Sequence, residues 1–262
     1  MTVTKGIWSR ETVALILIAA MLPIVITWLL AAGPAVLSRL VFVLVLAGLW
    51  HLAFMLARAQ PPSFAGALSA IAIALLAPPQ IGPVALLLSV SFGVVVAELI
   101  FGGWGRNILN PATVTLAFVS FGFPAEPWAT PDPQIGWAAI PAALIGMGFG
   151  VISARLIGGA LIGAGLAALA GWPLAGSFAT AALVVLVMLV ADPVASAATR
   201  LGRWLTGGLF ALLMAGFAAH WTGGNPVQIA VSAALLTSLA APLLDETALA
   251  FWRIARRKRL GL

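Results

Sequence analysis

The chain of 262 residues has no cysteine, two histidines and 8% charged residues. Without cysteine it can form no disulfide, and it supplies no thiolate to an iron–sulfur centre. His51 and His220 are too few for the four-histidine, two-haem arrangement of a cytochrome b. No glycine-rich phosphate loop of the Walker or Rossmann type is present. So few charges leave no room for a soluble domain of ordinary size.

What is present is largely hydrocarbon: 63% of residues are hydrophobic and the mean hydropathy is +1.14. Apolar runs of about 20 residues recur from end to end, the length a helix needs to cross a bilayer. A secreted protein with a signal peptide is excluded because the runs never stop. The pattern predicts an all-α, multi-pass membrane protein forming a single integral domain over 1–262. About ten segments are expected, near Val13–Ala32, Ala35–Ala57, Phe64–Ala77, Pro83–Phe101, Ile108–Phe123, Ile135–Ala154, Ile157–Ala170, Phe178–Ala191, Arg203–His220 and Val227–Leu244.

The cations orient these segments. Lys5 and Arg10, Arg58, Arg106, Arg155, Arg200 and Arg203 all fall on one side, as does a basic tail over 253–262 containing Arg253, Arg256, Arg257, Lys258 and Arg259. The opposite loops carry Glu126, Asp132 and His220. The excess of Lys and Arg predicts that both termini are cytoplasmic. Arg39 alone dissents, at a depth from which it can snorkel. The tail reads as topogenic and lipid-contacting, not as a nucleic-acid site.

The two halves resemble each other. SFAGALSAIAIALLAPPQ (63–80) aligns without a gap on SFATAALVVLVMLVADPV (177–194), and Gly102, Gly103, Asn110 and Pro111 are echoed by Gly223, Gly224, Asn225 and Pro226. Repeats over about 12–125 and 135–246, each of five helices, would enter the membrane in opposite senses. The aligned helices end in breakers, Pro78-Pro79 and Asp192-Pro193, which free carbonyls at membrane depth.

Most of the polar chemistry lies in two hinges, FGGWGRNILNPAT (101–113) and VADPVASAATRLGRW (190–204). In the first, Gly102, Gly103 and Gly105 permit positive φ, Asn107 and Asn110 offer amide donors and acceptors, and Asn110-Pro111 has the form of a helix cap. In the second, Asp192 needs a partner or hydration. It is read either as a cap or ion-pair partner of Arg200 or Arg203, or as a station on an ion path. Glu98 is read in the same two ways, with Arg106 as its partner. His51 reads as a hydrogen-bonded core histidine.

The hinges resemble those of a known family. GGWGRNILNPA is similar to the GGxGxNxFNPA signature of the NqrB/RnfD family, membrane subunits of sodium-pumping NADH:quinone oxidoreductase and of the Rnf complex. ADPVASAATRLGRWLTGGLFALL resembles that family's second block, and APLLD (241–245) its closing segment. The resemblance runs from about Pro61 to Asp245. It implies two inverted five-helix repeats, a urea-transporter-like fold, and a bacterial inner-membrane subunit of an ion-translocating complex that relays electrons through flavin. It also implies other subunits and a flavin or iron–sulfur donor protein as partners.

In that family FMN is esterified to the threonine of an S-G-A-T-like motif. That motif is absent here. The nearest match is Ala129-Thr130-Pro131, with Thr180 a second Ala-Thr. The cofactor-binding candidates are therefore Thr130 together with Gly102, Gly103, Trp104, Gly105, Asn107, Asn110, Pro111, Asp192 and Pro193; the ion-path candidates are Asp192 and Glu98. FMN is expected either at Thr130 or bound non-covalently. Two other readings stay open: a channel for a small neutral solute, and a flavin-less scaffold that anchors redox partners.

Overall fold

A computed structural model describes residues 9–58 and 63–260. Among the described residues it contains ten α-helices and no strand: α1 (Arg10–Ala32), α2 (Ala35–Arg58), α3 (Ala65–Leu76), α4 (Pro83–Ala97), α5 (Pro111–Gly122), α6 (Pro133–Gly148), α7 (Ala154–Leu169), α8 (Ser177–Val185), α9 (Arg200–His220) and α10 (Pro226–Leu260). A 3₁₀ turn, Leu99–Phe101, follows α4, and a π-helical turn, Leu186–Val190, extends α8. Lys5 and the loop residues Pro61 and Pro62 lie outside the described residues.

Helix starts follow local chemistry. Ser9 caps α1 by accepting from Thr12 N–H, Asp132 caps α6, and Thr199 caps α9. Pro83, Pro111 and Pro133 open their helices at positions that need no N–H donor. Two boundaries differ from the sequence expectation by more than a turn and lie in no adjoining 3₁₀ or π turn. The sixth segment ends at Gly148 instead of Ala154, where Gly150 turns the chain at φ +71°. The tenth continues past Leu244 to Leu260. Asp245 and Glu246 resemble an end of the apolar run, but the residues beyond them are good helix formers.

Five helical stretches are long and apolar enough to cross a membrane: α1, α2, Pro83–Phe101, α9 and Pro226–Ile254. The chain is thus a helical membrane protein. The shorter helices form its centre. Eight of the twelve residues of α3 are buried and nine of the twelve of α5, against two of the 24 of α2. Leu30 and Leu56, 81% and 77% exposed, lie on the peripheral helices, where lipid tails replace water.

Four helix pairings of the first half recur in the second, although α2 also packs on α3 without a counterpart of that extent between α7 and α8. α1 packs on α3 and α6 on α8; α3 on α5 and α8 on α10; α2 on α4 and α7 on α9; α4 on α5 and α9 on α10. The halves meet through α1 against α6 and α5 against α10. Small residues set the closest approaches. A Cβ on Gly207 of α9 would strike the Leu156 carbonyl of α7, and one on Gly93 of α4 would strike Thr115 of α5.

Candidate functional site

The first hinge is tied up largely by its own side chains. Gly102, Gly103 and Gly105 have φ of +105°, +88° and +95°, values that exclude most other residues. Asn107 accepts from Gly105 N–H at 3.1 Å and donates to the Leu109 carbonyl at 3.0 Å. Trp104 is buried, and its carbonyl accepts from Arg10 at 3.2 Å, tying the start of α1 to the hinge. Asn110 caps α5: its Oδ1 accepts from Ala112 N–H at 2.9 Å and Thr113 N–H at 3.2 Å, with Pro111 as the first helical residue.

The second hinge meets the first through the other end of that amide. Asn110 Nδ2 donates to Asp192 Oδ2 at 2.8 Å, across 82 residues of sequence, and both side chains are buried. Asp192 Oδ1 accepts from Val194 N–H at 3.0 Å, closing a turn over Pro193. The π-helical turn just before it ends with Ala191 N–H donating to the Leu186 carbonyl. Such turns recur at functional sites because the extra residue re-aims the downstream backbone.

Glu98, at the C-terminal end of α4, is fully buried and lies within electrostatic reach of Asp192. Its Oε1 is 3.1 Å from His51 Nε2, and His51 Nδ1 is 2.8 Å from the Ala47 carbonyl. A carbonyl only accepts, so Nδ1 carries a proton. The Nε2–Oε1 contact then needs a second, shared proton, residing on either the imidazole or the carboxyl. The pair thus holds one exchangeable proton without net charge. Glu98 Oε2 and the Thr113 hydroxyl are buried with no hydrogen-bond partner. Burying two acids here is possible because every other oxygen of the pair has a donor or a shared proton.

These contacts replace the ion pairs expected from the sequence. Glu98 takes His51 instead of Arg106, because α2 packs against α4. Asp192 takes Asn110 and its own turn instead of Arg200 or Arg203. Arg203 donates from Nε to the Ala197 carbonyl at 3.2 Å. The loop before α9 is clamped by Asp245 of α10, which accepts from Ala198 N–H, Thr199 N–H and the Thr199 hydroxyl at 2.8, 2.9 and 2.6 Å. Asp245 stands in the APLLD segment, yet nothing in the spacing of the sequence assigns it this partner. The same holds for His51 and Glu98, 47 residues apart.

Thr130 lies elsewhere. It is exposed, and it lines a cavity of about 240 Å³ with Trp28 near the end of α1, Arg39 of α2, Ala77 and Pro79 after α3, and Val227 of α10. Arg10 touches the hinge and Trp28 the Thr130 cavity, so about 27 Å of helix separates them. One flavin cannot contact both, and the candidate residues divide into two sites at opposite ends of α1. Thr130 and Pro131 also border a second cavity of about 410 Å³, with Trp137, Thr180 and Leu183. The two Ala-Thr candidates therefore face one space, although the Thr180 hydroxyl is committed to the Gly176 carbonyl at 3.2 Å.

The residues around Thr130 fit a flavin mononucleotide. An exposed hydroxyl sits between a larger cavity edged by an indole and a smaller one lined by a guanidinium whose Nε is buried without an acceptor. At the hinge, by contrast, the buried Trp104 offers no free face. The space bordering it is an apolar cleft of about 440 Å³ between α4 and α5, reached from Phe101, Ile108 and Leu109 and closed by Leu235 of α10.

A bundle of short, broken helices around buried acids, with the two hinges joined by an amide–carboxylate bond and flanked by five helices long enough to cross a bilayer, defines a polytopic membrane protein. Residues 4–143, just over half of the chain, match the model of the NQR2, RnfD, RnfE family, and the chain belongs to that family. It is similar to a Na(+)-translocating NADH-quinone reductase subunit from Azotobacter vinelandii, 33% identical over 42% of this chain and 28% of the relative. The corresponding Klebsiella pneumoniae protein is 39% identical over 32% and 20%. That of Stutzerimonas stutzeri is 32% identical over 43% and 29%. The chain thus aligns with less than a third of the length of these relatives.

Proposed function

We propose that the chain is a membrane subunit of an ion-translocating electron-transfer complex of the bacterial inner membrane. In this reading it relays electrons through a flavin held at the Thr130 end and assists cation movement at the Glu98–Asp192 end. The observation that carries it is the meeting of the two hinges at Asn110 and Asp192, with a second buried acid, Glu98, within electrostatic reach and paired to His51, in a family whose relatives are named as sodium-translocating reductase subunits. Four helix pairings common to the two halves support an inverted repeat of five helices each, with a urea-transporter-like arrangement, and the distribution of Lys and Arg supports both termini being cytoplasmic. Partner subunits, including a flavin or iron–sulfur donor, complete the complex.

A bound flavin would supply one-electron transfer chemistry. The chain's own residues would do the remaining work: the Thr130 hydroxyl would hold the phosphate side, and Trp137 and Leu183 would border the ring. Glu98 Oε2, having no internal donor, is free to meet a cation or a proton arriving beside Asp192, while His51 holds or releases the shared proton at Nε2. Asn110 holds the Asp192 carboxyl in place while the same side chain caps α5.

The test is a denaturing gel of the purified protein scanned for flavin fluorescence, beside Thr130→Ala. A fluorescent band lost in the variant is expected. A dark band with flavin released on denaturation keeps the redox reading but puts a non-covalent flavin in its place, with the cleft beside the hinge as the second location. No flavin in either fraction, with the partner complex intact, overturns the redox reading in favour of a scaffold or a solute channel.

A further inference from the structure

Arg39 stands apart from the other cations. The described arginines Arg10, Arg58 and Arg106 lie by the first hinge or the ends of α2 and α4, whereas Arg39 is at the opposite end of α2 and lines the cavity beneath Thr130. Its Nη1 donates to the Ala77 and Pro78 carbonyls at 3.3 and 3.2 Å, at the break after α3, where the Pro78 carbonyl also accepts from Ile81 N–H. Its Nε is buried with no acceptor. No described carboxylate lies within ion-pair distance. Asp132 lines the same cavity, but its Oδ1 is taken by Gln134 N–H at the start of α6.

We propose that this cavity is an oxyanion pocket in which Arg39 holds a phosphoryl group. A guanidinium carries a planar fork of donors suited to phosphate oxygens, and this one has a buried Nε without an acceptor and no described carboxylate within ion-pair distance. The N-terminal turns of α6 and α10 reach the same cavity through Ile135 and Val227; Asp132 offsets the dipole of α6 as its cap, and the N-terminus of α10 adds positive potential. The phosphoryl comes either from a flavin mononucleotide whose ring enters the adjoining cavity of about 410 Å³, or from free phosphate. Naming the flavin as its source rests on the proposed function; the anion pocket does not.

The test uses the full-length chain in detergent carrying Thr130→Ala, so that no esterified flavin fills the site, and titrates it with flavin mononucleotide, riboflavin and inorganic phosphate. Flavin mononucleotide is expected to bind about tenfold or more tightly than riboflavin, the value of one charge-assisted contact. Phosphate should compete with the first and not with the second. Adding Arg39→Gln should bring the two flavins to parity, and Arg39→Lys should lose part of the preference. Equal binding of the two flavins without phosphate competition overturns the pocket, a result that does not depend on the Arg39 variants folding. Phosphate bound in an Arg39-dependent way with neither flavin bound sustains the pocket and overturns the flavin site.

Discussion

At the scale of single residues, Asn110 does two tasks with one amide: its oxygen caps α5 and its nitrogen satisfies Asp192. Replacing it with alanine removes the cap and leaves a buried carboxylate oxygen bare. Asn110→Ala should therefore destabilise the protein by about 2–4 kcal/mol, read as a lowered melting temperature in detergent. Asp245→Ala should release the loop before α9 by removing three acceptor contacts; a rise in proteolysis near Ala198 with little loss of helix content is the expected sign. Glu98→Gln keeps the shape of the buried pair but not its exchangeable proton. In the assembled complex it should abolish the cation dependence of electron transfer while the flavin content stays unchanged. A variant that loses both would point to a purely structural acid.

At the scale of helices, α7 and α9 touch backbone to backbone because glycines line their seam. Gly207→Ala would push a methyl group into the Leu156 carbonyl and should cost about 2 kcal/mol or more. Gly165→Ala, on α7 with open space around it, should be neutral or stabilise by up to about 1 kcal/mol. Thermal unfolding followed by circular dichroism separates the two. Helix positions are largely legible in the sequence, since apolar runs, Asn-Pro caps and Gly or Pro breaks mark them locally. The π-helical turn at Leu186–Val190 is not, because its all-apolar residues serve equally well in an α-helix. Nor is the extension of α10: Asp245 reads as an end only until its partners on the loop before α9 are known.

At the scale of the molecule, the reading of both termini as cytoplasmic has a direct test. The natural chain has no cysteine, so a single introduced thiol is an unambiguous reporter. Cysteines at Ala125 and Ala170 should react with an impermeant maleimide in intact cells, and cysteines at Phe149 and Ala198 only after permeabilisation. The opposite pattern would invert the topology. The two hinges are legible as sites because glycine, asparagine and proline are conspicuous among apolar residues. Their partners are not. His51 reaches Glu98, and Arg39 reaches the end of α3, through helix packing that no local pattern encodes.

Two central helices end in proline breaks, and the breaks carry different polar groups. The one after α3 offers its carbonyls to the guanidinium of Arg39, while the one after α8 carries Asp192, held by an amide from the other half of the chain. The two aligned stretches thus agree on where a helix stops and differ in what meets the stop: one break is an acceptor for a side chain from a neighbouring helix, and the other brings an acid of its own to a cap.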